Sequence, residues 1–94
     1  MIIVSGKIYV DDDARDAYVA GCRVVIEQAR VAPGCLDFTI AADPLEPGRI
    51  NVYEVWESDD DVEQFRGSGP SEEQQAEIRD ASVARYRISS VEAP

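Results

Sequence analysis

Residues 33–65 read PGCLDFTIAADPLEPGRINVYEVWESDDDVEQF, and this stretch decides the fold. Residues 35–42 and 50–57 alternate between apolar and polar or small side chains, a pattern typical of β-strands. The segment between them, 43–48, reads DPLEPG and is dense in turn-forming residues. Because this loop is short, we expect the two strands to pair as an antiparallel hairpin.

A strand and a long helix are predicted before the hairpin. Residues 2–10 alternate with period two, and one face of that strand is continuously apolar. The acidic run 11–13 is expected to cap a helix over about residues 12–30. Pro33 and Gly34 are expected to mark the end of that helix region.

A short helix is predicted directly after the hairpin. Ser58 has the character of an N-cap residue, with Asp61 at the third helical position. Val62 and Phe65 are the apolar residues of this helix, which should break at the glycine-rich segment 67–70.

The remaining chain predicts one more helix and one more strand. Ser71 and Gln74 repeat the capping pattern, so residues 71–80 are expected to be helical, with Ala76 and Ile78 as apolar anchors. Residues 83–91 alternate and should form the last strand, and residues 92–94 should fray.

The order β-α-β-β-α-β predicts a single α+β domain over residues 1–94 with the ferredoxin-like split βαβ arrangement. Both helices should pack on one face of a four-stranded antiparallel sheet. The other face also carries apolar side chains, among them Ile3 and Tyr9. A bare apolar sheet face favours association, so we predict a homodimer that packs sheet against sheet.

The net charge of −10 restricts the possible partners. It argues against nucleic acid and anionic membrane surfaces, which both require a basic protein face. It favours a neutral or weakly acidic ligand, although solubility alone also explains it. The sequence has no apolar run long enough to span a membrane and no signal-peptide pattern, so we expect a cytoplasmic protein.

The sequence contains no histidine and two cysteines, Cys22 and Cys35. Without histidine, the usual general base and the usual transition-metal and haem ligands are missing. The cysteines do not form a CxxC pair, and we interpret both as packing residues. The acidic runs 11–13 and 59–61 lack the calcium-loop pattern and are interpreted as helix caps, so no metal is predicted.

Two segments carry a resemblance to a known family: Pro33-Gly34-Cys35-Leu36, and Glu54-x-Trp56-Glu57-Ser58 followed by an acidic cap and Phe65. With them the chain resembles the antibiotic biosynthesis monooxygenase (ABM) family of dimeric α+β barrels. This resemblance implies a dimer. It also implies that the chain is a candidate enzyme that oxidises a phenolic or quinol-like substrate with molecular oxygen, without metal or flavin. Other members degrade haem, and many have no established activity.

The sequence departs from the family pattern after the Glu-x-Trp strand. Many members carry a histidine in the following helix, where this chain has Gln64-Phe65-Arg66. The haem-degrading branch depends on that histidine and on a tryptophan in the same region. Haem degradation is therefore not expected here, and no cofactor is predicted.

Glu54 and Trp56 are the catalytic candidates, and Val52 shares their strand face. Trp56 is either a core anchor or the floor of a pocket, where its indole N–H would donate to a ligand oxygen. Glu54 is either a general base or the partner in a structural salt bridge, for example with Lys7 or an arginine of the last strand.

Other aromatic residues are candidates for a site that binds a small aromatic molecule. Tyr18, Phe38 and Phe65 would line its walls together with Val52 and Trp56, but core packing explains them equally well. Further tyrosine hydroxyls are expected at the pocket or at the dimer interface, from Tyr9, Tyr53 and Tyr86. Arg85 and Arg87 should point away from Tyr86, toward the other subunit or solvent. A non-catalytic binding module or a structural homodimer remains the alternative.

Overall fold

The computed structural model describes residues 1–67 and 72–94. The described residues form four strands, β1 (Ile2–Tyr9), β2 (Cys35–Ala42), β3 (Arg49–Trp56) and β4 (Asp80–Arg87). The helices are α1 (Arg15–Gly21), α2 (Arg23–Arg30), α3 (Asp59–Arg66) and α4 (Glu72–Glu77). The strands form one antiparallel sheet in the order β2-β3-β1-β4. This is the predicted ferredoxin-like fold.

The core lies between one sheet face and the helices. It joins Ile2, Val4, Phe38 and Trp56 of the sheet with Ala29 of α2 and Val62 of α3, and all six are buried. The alternating apolar face of β1 supplies the first two of these residues, as its pattern predicted.

The predicted hairpin is present, with one irregularity. Pairing runs from Cys35 opposite Trp56 to Ala42 opposite Ile50, but the register shifts between Cys35 and Asp37. This β-bulge reorients Leu36, which is 54% exposed. Strict alternation over residues 35–42 would place Leu36 on the same face as Phe38, and the bulge breaks that alternation.

The first helical region differs from the single helix predicted over residues 12–30. Helix α1 begins at Arg15, and no side chain caps it. The Asp11 carboxylate instead pairs with Arg79 at 3.0 Å, and the Arg79 guanidinium lowers the pKa of Asp11. The helix is interrupted at Cys22, whose ψ of −8° departs from the helical value of about −42° directly after Gly21, a poor helix former.

The second helical region begins as the sequence predicted. The Ser58 side chain accepts a hydrogen bond from the Asp61 N–H at 3.3 Å and caps α3. Helix α3 ends at Arg66, before Gly67. The rest of the predicted break, residues 68–70, and the predicted Ser71 cap lie outside the described residues.

The last helix and strand are displaced from their predicted positions. Helix α4 ends at Glu77, and Ala76 is exposed rather than an apolar anchor, while Ile78 is half-buried. Strand β4 begins at Asp80, three residues earlier than predicted. It pairs with β1 along the whole length of β1, so the ends of β1 set the ends of β4.

The hairpin loop is organised by the Asp43 carboxylate. It accepts hydrogen bonds from the backbone N–H groups of Leu45 and Glu46 and from the Asn51 side chain, at 2.9–3.0 Å. The Asn51 hydrogen bond is the main reason that the pKa of Asp43 falls from 3.8 to about 2. Arg15 of α1 donates to the loop carbonyls of Asp43 and Glu46 at 3.0 Å, which fastens the helix to the hairpin.

Acid should weaken the fold in part through Asp43. In the unfolded chain this carboxyl takes up a proton near pH 3.8, but in the folded chain only near pH 2. Its stabilising contribution is therefore complete above about pH 5 and is lost as the pH falls through about 2. Urea unfolding should show Asp43→Asn to be less stable than wild type at neutral pH, with a gap that narrows in acid. The exposed Asp13→Asn variant is the control, and a gap that does not change with pH would contradict the assignment.

Candidate functional site

The site is built around Trp56, the last residue of β3. Its side chain is completely buried. The Phe65 ring lies 5.3 Å from the Trp56 ring at an interplanar angle of 35°, and the Phe38 ring lies 6.5 Å away, edge-on. Phe38 and Phe65 also contact each other, with ring centroids 5.8 Å apart. The three rings form a closed aromatic cluster, which fits the core interpretation of Trp56 in this conformation.

Glu54 lies on the same strand face, two residues before Trp56, and is only 6% exposed. Its Oε1 accepts a hydrogen bond from the Trp56 indole N–H at 3.0 Å. The Arg66 guanidinium of α3 lies 3.3 Å from both carboxylate oxygens. The buried charge therefore has both a hydrogen-bond donor and a counter-ion, as a buried carboxylate requires.

These partners correct two expectations. Glu54 pairs with neither Lys7 nor an arginine of the last strand. Lys7 lies on the opposite sheet face, with its Nζ 5.8 Å from the centre of the Tyr9 ring. The Trp56 N–H, which the pocket interpretation assigned to a ligand oxygen, donates to Glu54.

The arginines of β4 are also used differently from the prediction. Arg85 lies on the helix-covered face and binds Asp59 at 3.0 Å and Glu63 at 2.7 Å, both on α3. Arg87 pairs with Asp59 as well. They do point away from Tyr86, but they hold α3 on the sheet rather than meeting only solvent or another subunit.

The predicted wall residues separate into two groups. Phe38 and Phe65 lie against Trp56, and Val52 is buried further along the same strand face. Tyr18 lies outside this core cluster, on α1. Burial raises the pKa of Tyr18, and the negative charges of Cys22 and Glu77 raise it further.

Arg66 is the site residue that sequence reasoning missed. A signal was present: Arg66 follows the buried Val62 by four residues, so both side chains lie on the same side of α3. The partner of Glu54 could have been sought on that side of the helix.

The structure describes two surface grooves near the site, and neither Trp56 nor Glu54 is among their lining residues. A surface groove of about 360 Å³ lies between α2 and α3, lined by Gln28, Ala32, Pro33, Asp61, Gln64 and Phe65. Phe65 thus lines this groove and also contacts Trp56. A second groove of about 400 Å³ lies at the bulge and is lined by Arg30, Cys35, Leu36 and Asp37.

The two cysteines have little nucleophilic character at neutral pH. Burial raises the pKa of the Cys22 thiol, and Glu77 adds to this effect. Burial also raises the pKa of Cys35, and the negative charge of Glu54 raises it further. Both thiols are therefore protonated at neutral pH. Since the thiolate is the reactive form of cysteine, neither is a good nucleophile. Among the side chains that the structure describes, those of residues 1–67 and 75–94, no three Cys, Asp or Glu residues are grouped as metal ligands.

The two most distinctive sequence segments meet in space. The Glu57 N–H donates to the Gly34 carbonyl at 2.8 Å, so the turn before β2 contacts the end of β3. Gly34 has a φ of +79°, and a Cβ at this position would overlap the Asp61 carboxylate of α3. A residue with a side chain at position 34 would therefore be strained and would displace Asp61.

The sequence profile of the antibiotic biosynthesis monooxygenase family matches residues 1–77, which hold all the candidate site residues. The chain belongs to the ABM family. An uncharacterized Synechocystis protein is 33% identical over 55 residues, which are 58% of this ABM chain and 37% of that protein. This chain therefore spans little more than a third of the relative's length.

Solved structures show the same ABM fold. A Nitrosomonas europaea protein provisionally assigned as an antibiotic biosynthesis monooxygenase superimposes with a TM-score of 0.80 at 18% identity, over 96% of this chain and all of that one. The Mycobacterium tuberculosis protein Rv0793 gives 0.77 at 20% identity, over 98% of both chains. Among the described helices, none is long and apolar enough to cross a membrane.

Proposed function

We propose that this ABM-family chain is a monooxygenase that oxidises a small phenolic or quinol-like aromatic molecule with O₂ and needs neither metal nor flavin. The observation that carries the proposal is the buried Glu54 carboxylate beside three aromatic rings. A carboxylate held in place in a water-poor aromatic site is a general-base candidate for a phenol proton.

The proposed reaction balances without another redox partner. A phenol with a ring C–H para to its oxygen reacts with O₂ to give a quinone and water. One oxygen atom enters the ring as the new carbonyl, and the other leaves as water with two substrate hydrogens. The substrate supplies all four electrons. The role of the protein is to bind the phenol, accept its proton on Glu54 and exclude bulk water.

The proposal requires Phe65 to move. Trp56 is fully covered, and Phe65 is the half-buried ring between it and the groove along α2 and α3. We propose that the substrate ring enters through this groove and takes the place of Phe65 against Trp56. Exchanging one aromatic contact for another keeps the stacking energy of the site nearly constant.

Glu54→Gln tests the chemistry, because glutamine keeps the shape of the side chain and cannot act as the base. Oxygen uptake with hydroquinones, naphthols and polycyclic phenols should fall by about 10²-fold or more in this variant. Substrate binding, followed by quenching of Trp56 fluorescence, should persist. The control is Glu57→Gln, since Glu57 is exposed. Full oxygen uptake by Glu54→Gln would remove Glu54 from the mechanism.

The complete burial of Trp56 favours a second candidate, a non-catalytic binding or structural module of the same fold. Saturable quenching by phenols without oxygen uptake would establish the binding module. If none of the hydroquinones, naphthols and polycyclic phenols changed the Trp56 fluorescence, the structural module would be favoured.

We also propose that the protein is a homodimer formed through the sheet face opposite the helices. Tyr53 is 42% and Tyr86 is 53% exposed on that face, an unfavourable position for aromatic rings in a monomer. Light scattering at micromolar concentration should give about twice 10.3 kDa. Tyr86→Lys should shift the protein to monomer, whereas Leu45→Lys, on the hairpin loop, should not. A monomeric wild type would contradict the proposal.

A further inference from the structure

The Arg66 guanidinium is only partly used by Glu54. One of its nitrogens, Nη2, lies 3.3 Å from both carboxylate oxygens. Within the described residues, its Nε and Nη1 have no hydrogen-bond acceptor. The Arg66 side chain is 42% exposed, whereas that of Glu54 is 7% exposed. With respect to the residues that the structure describes, Arg66 therefore has donors to spare, and it is the more exposed member of the pair.

The bond between Arg66 and Glu54 is also long. Charge-assisted N–H···O hydrogen bonds typically measure about 2.7–2.9 Å, and bidentate pairs use two nitrogens of the guanidinium. Arg85 is held more firmly than Arg66, because its two terminal nitrogens each bind a separate carboxylate, that of Asp59 at 3.0 Å and that of Glu63 at 2.7 Å. Arg85 is thus committed to α3, while Arg66 could change partner with little loss of hydrogen bonding.

The other groups packed around Glu54 leave Arg66 as the mobile counter-ion. From β2, the Cys35 thiol is neutral at neutral pH, and Arg30 of α2 donates to the Phe38 carbonyl at 2.9 Å. From β4, Arg85 lies in the same cross-strand row as Glu54 and is neutralised by two carboxylates of α3.

We infer that Arg66 changes its ion-pair partner from the Glu54 carboxylate to the substrate oxygen when the substrate proton moves to Glu54. The site would therefore select an ionisable phenol or enol. This inference rests on the proposed function. The substrate O–H bond breaks, an O–H bond forms on Glu54 Oε2, and no electron moves in this step. Arg66 then pairs with the phenolate oxygen, while the Trp56 N–H stays on Oε1. The net charge of the site is the same before and after the transfer.

A counter-ion is necessary because the proton transfer is uphill in water. The pKa values of a phenol and a glutamic acid differ by about six units, a factor of about 10⁶. The inference requires that a guanidinium, by leaving the neutralised Glu54 and pairing with the phenolate in a water-poor site, offsets most of this factor. A neutral phenol is also the form that approaches a protein of net charge −10 without repulsion.

The test compares a chromogenic phenol with its methyl ether, which has the same ring but no proton to lose. The ligands are titrated at neutral pH into wild type, Arg66→Gln and Arg66→Lys, with Arg23→Gln as the control because Arg23 is exposed on α2. Wild type should show the phenolate absorption band of the bound phenol at a pH where the free phenol is neutral. Arg66→Gln should lose this band and bind the phenol about 10-fold more weakly. Its affinity for the ether should change less than about twofold, and Arg66→Lys should retain most of the band.

The contrary outcomes are separable. Two outcomes overturn the role of Arg66 without contradicting the proposed oxidation. One is an unchanged phenolate band in Arg66→Gln, and the other is phenol binding by wild type without a phenolate band. Equal loss of phenol and ether binding in Arg66→Gln assigns Arg66 a structural role and also overturns the inference. If wild type binds neither the phenol nor its ether, both the proposed function and the inference about Arg66 are contradicted.

Discussion

Trp56→Ala should lower the free energy of unfolding by about 3–5 kcal/mol. The side chain is completely buried and contacts two further aromatic rings, so its removal leaves a large cavity in the core. A 94-residue domain has a total stability of about 5–14 kcal/mol, so the variant should lie near the limit of folding.

Urea unfolding at a fixed protein concentration measures this effect, since dimerisation would make stability depend on concentration. Trp56→Phe should lose less, because a smaller ring still fills part of the space. Val31→Ala is the surface control, as Val31 is 84% exposed. A loss below about 1 kcal/mol in Trp56→Ala would mean that the indole lines an open pocket rather than the core.

Gly6→Ala should cost at least about 2–3 kcal/mol, because β1 and β4 approach each other too closely for a side chain at this position. An added Cβ would overlap the Ser82 carbonyl oxygen and lie 2.7 Å from the Val83 Cα, and both are backbone atoms that cannot rotate away. The β1–β4 pairing would have to separate locally. Thermal unfolding should show a correspondingly lower Tm.

Gly21→Ala is the matched control for this change. A Cβ on Gly21, at the end of α1, would meet nothing within 4 Å. Alanine is also the better helix former, so this variant should be as stable as wild type or more stable by up to about 1 kcal/mol. Equal stability of the two glycine variants would contradict the claim that β1 and β4 lie too close together for a side chain at position 6.

Local chemistry made the centre of the fold predictable. The alternation of the two hairpin strands, the DPLEPG turn and the Ser58 cap each depend on residues close in sequence, and each is present. The placement of Val52, Glu54 and Trp56 on one buried face also follows from the period of a strand.

What could not be predicted depends on contacts between distant parts of the chain. The exposure of Leu36 results from a bulge, which alternation alone cannot reveal. The ends of β4 follow from the ends of β1. The Glu54–Arg66 pair requires α3 to be placed on the sheet, and Arg85 and Arg87 secure that placement from the far edge.

The most direct test of the proposed oxidation is the fate of labelled oxygen. Wild-type protein and Glu54→Gln would be incubated with ¹⁸O₂ and those phenols that quench Trp56 fluorescence and carry a free C–H para to the hydroxyl. The products would be analysed by mass spectrometry. We predict one ¹⁸O atom in each quinone formed by wild type, at a rate that Glu54→Gln reduces by about 10²-fold. Bound phenols that acquire no ¹⁸O above the level of a protein-free control would contradict the monooxygenase assignment and leave a binding module.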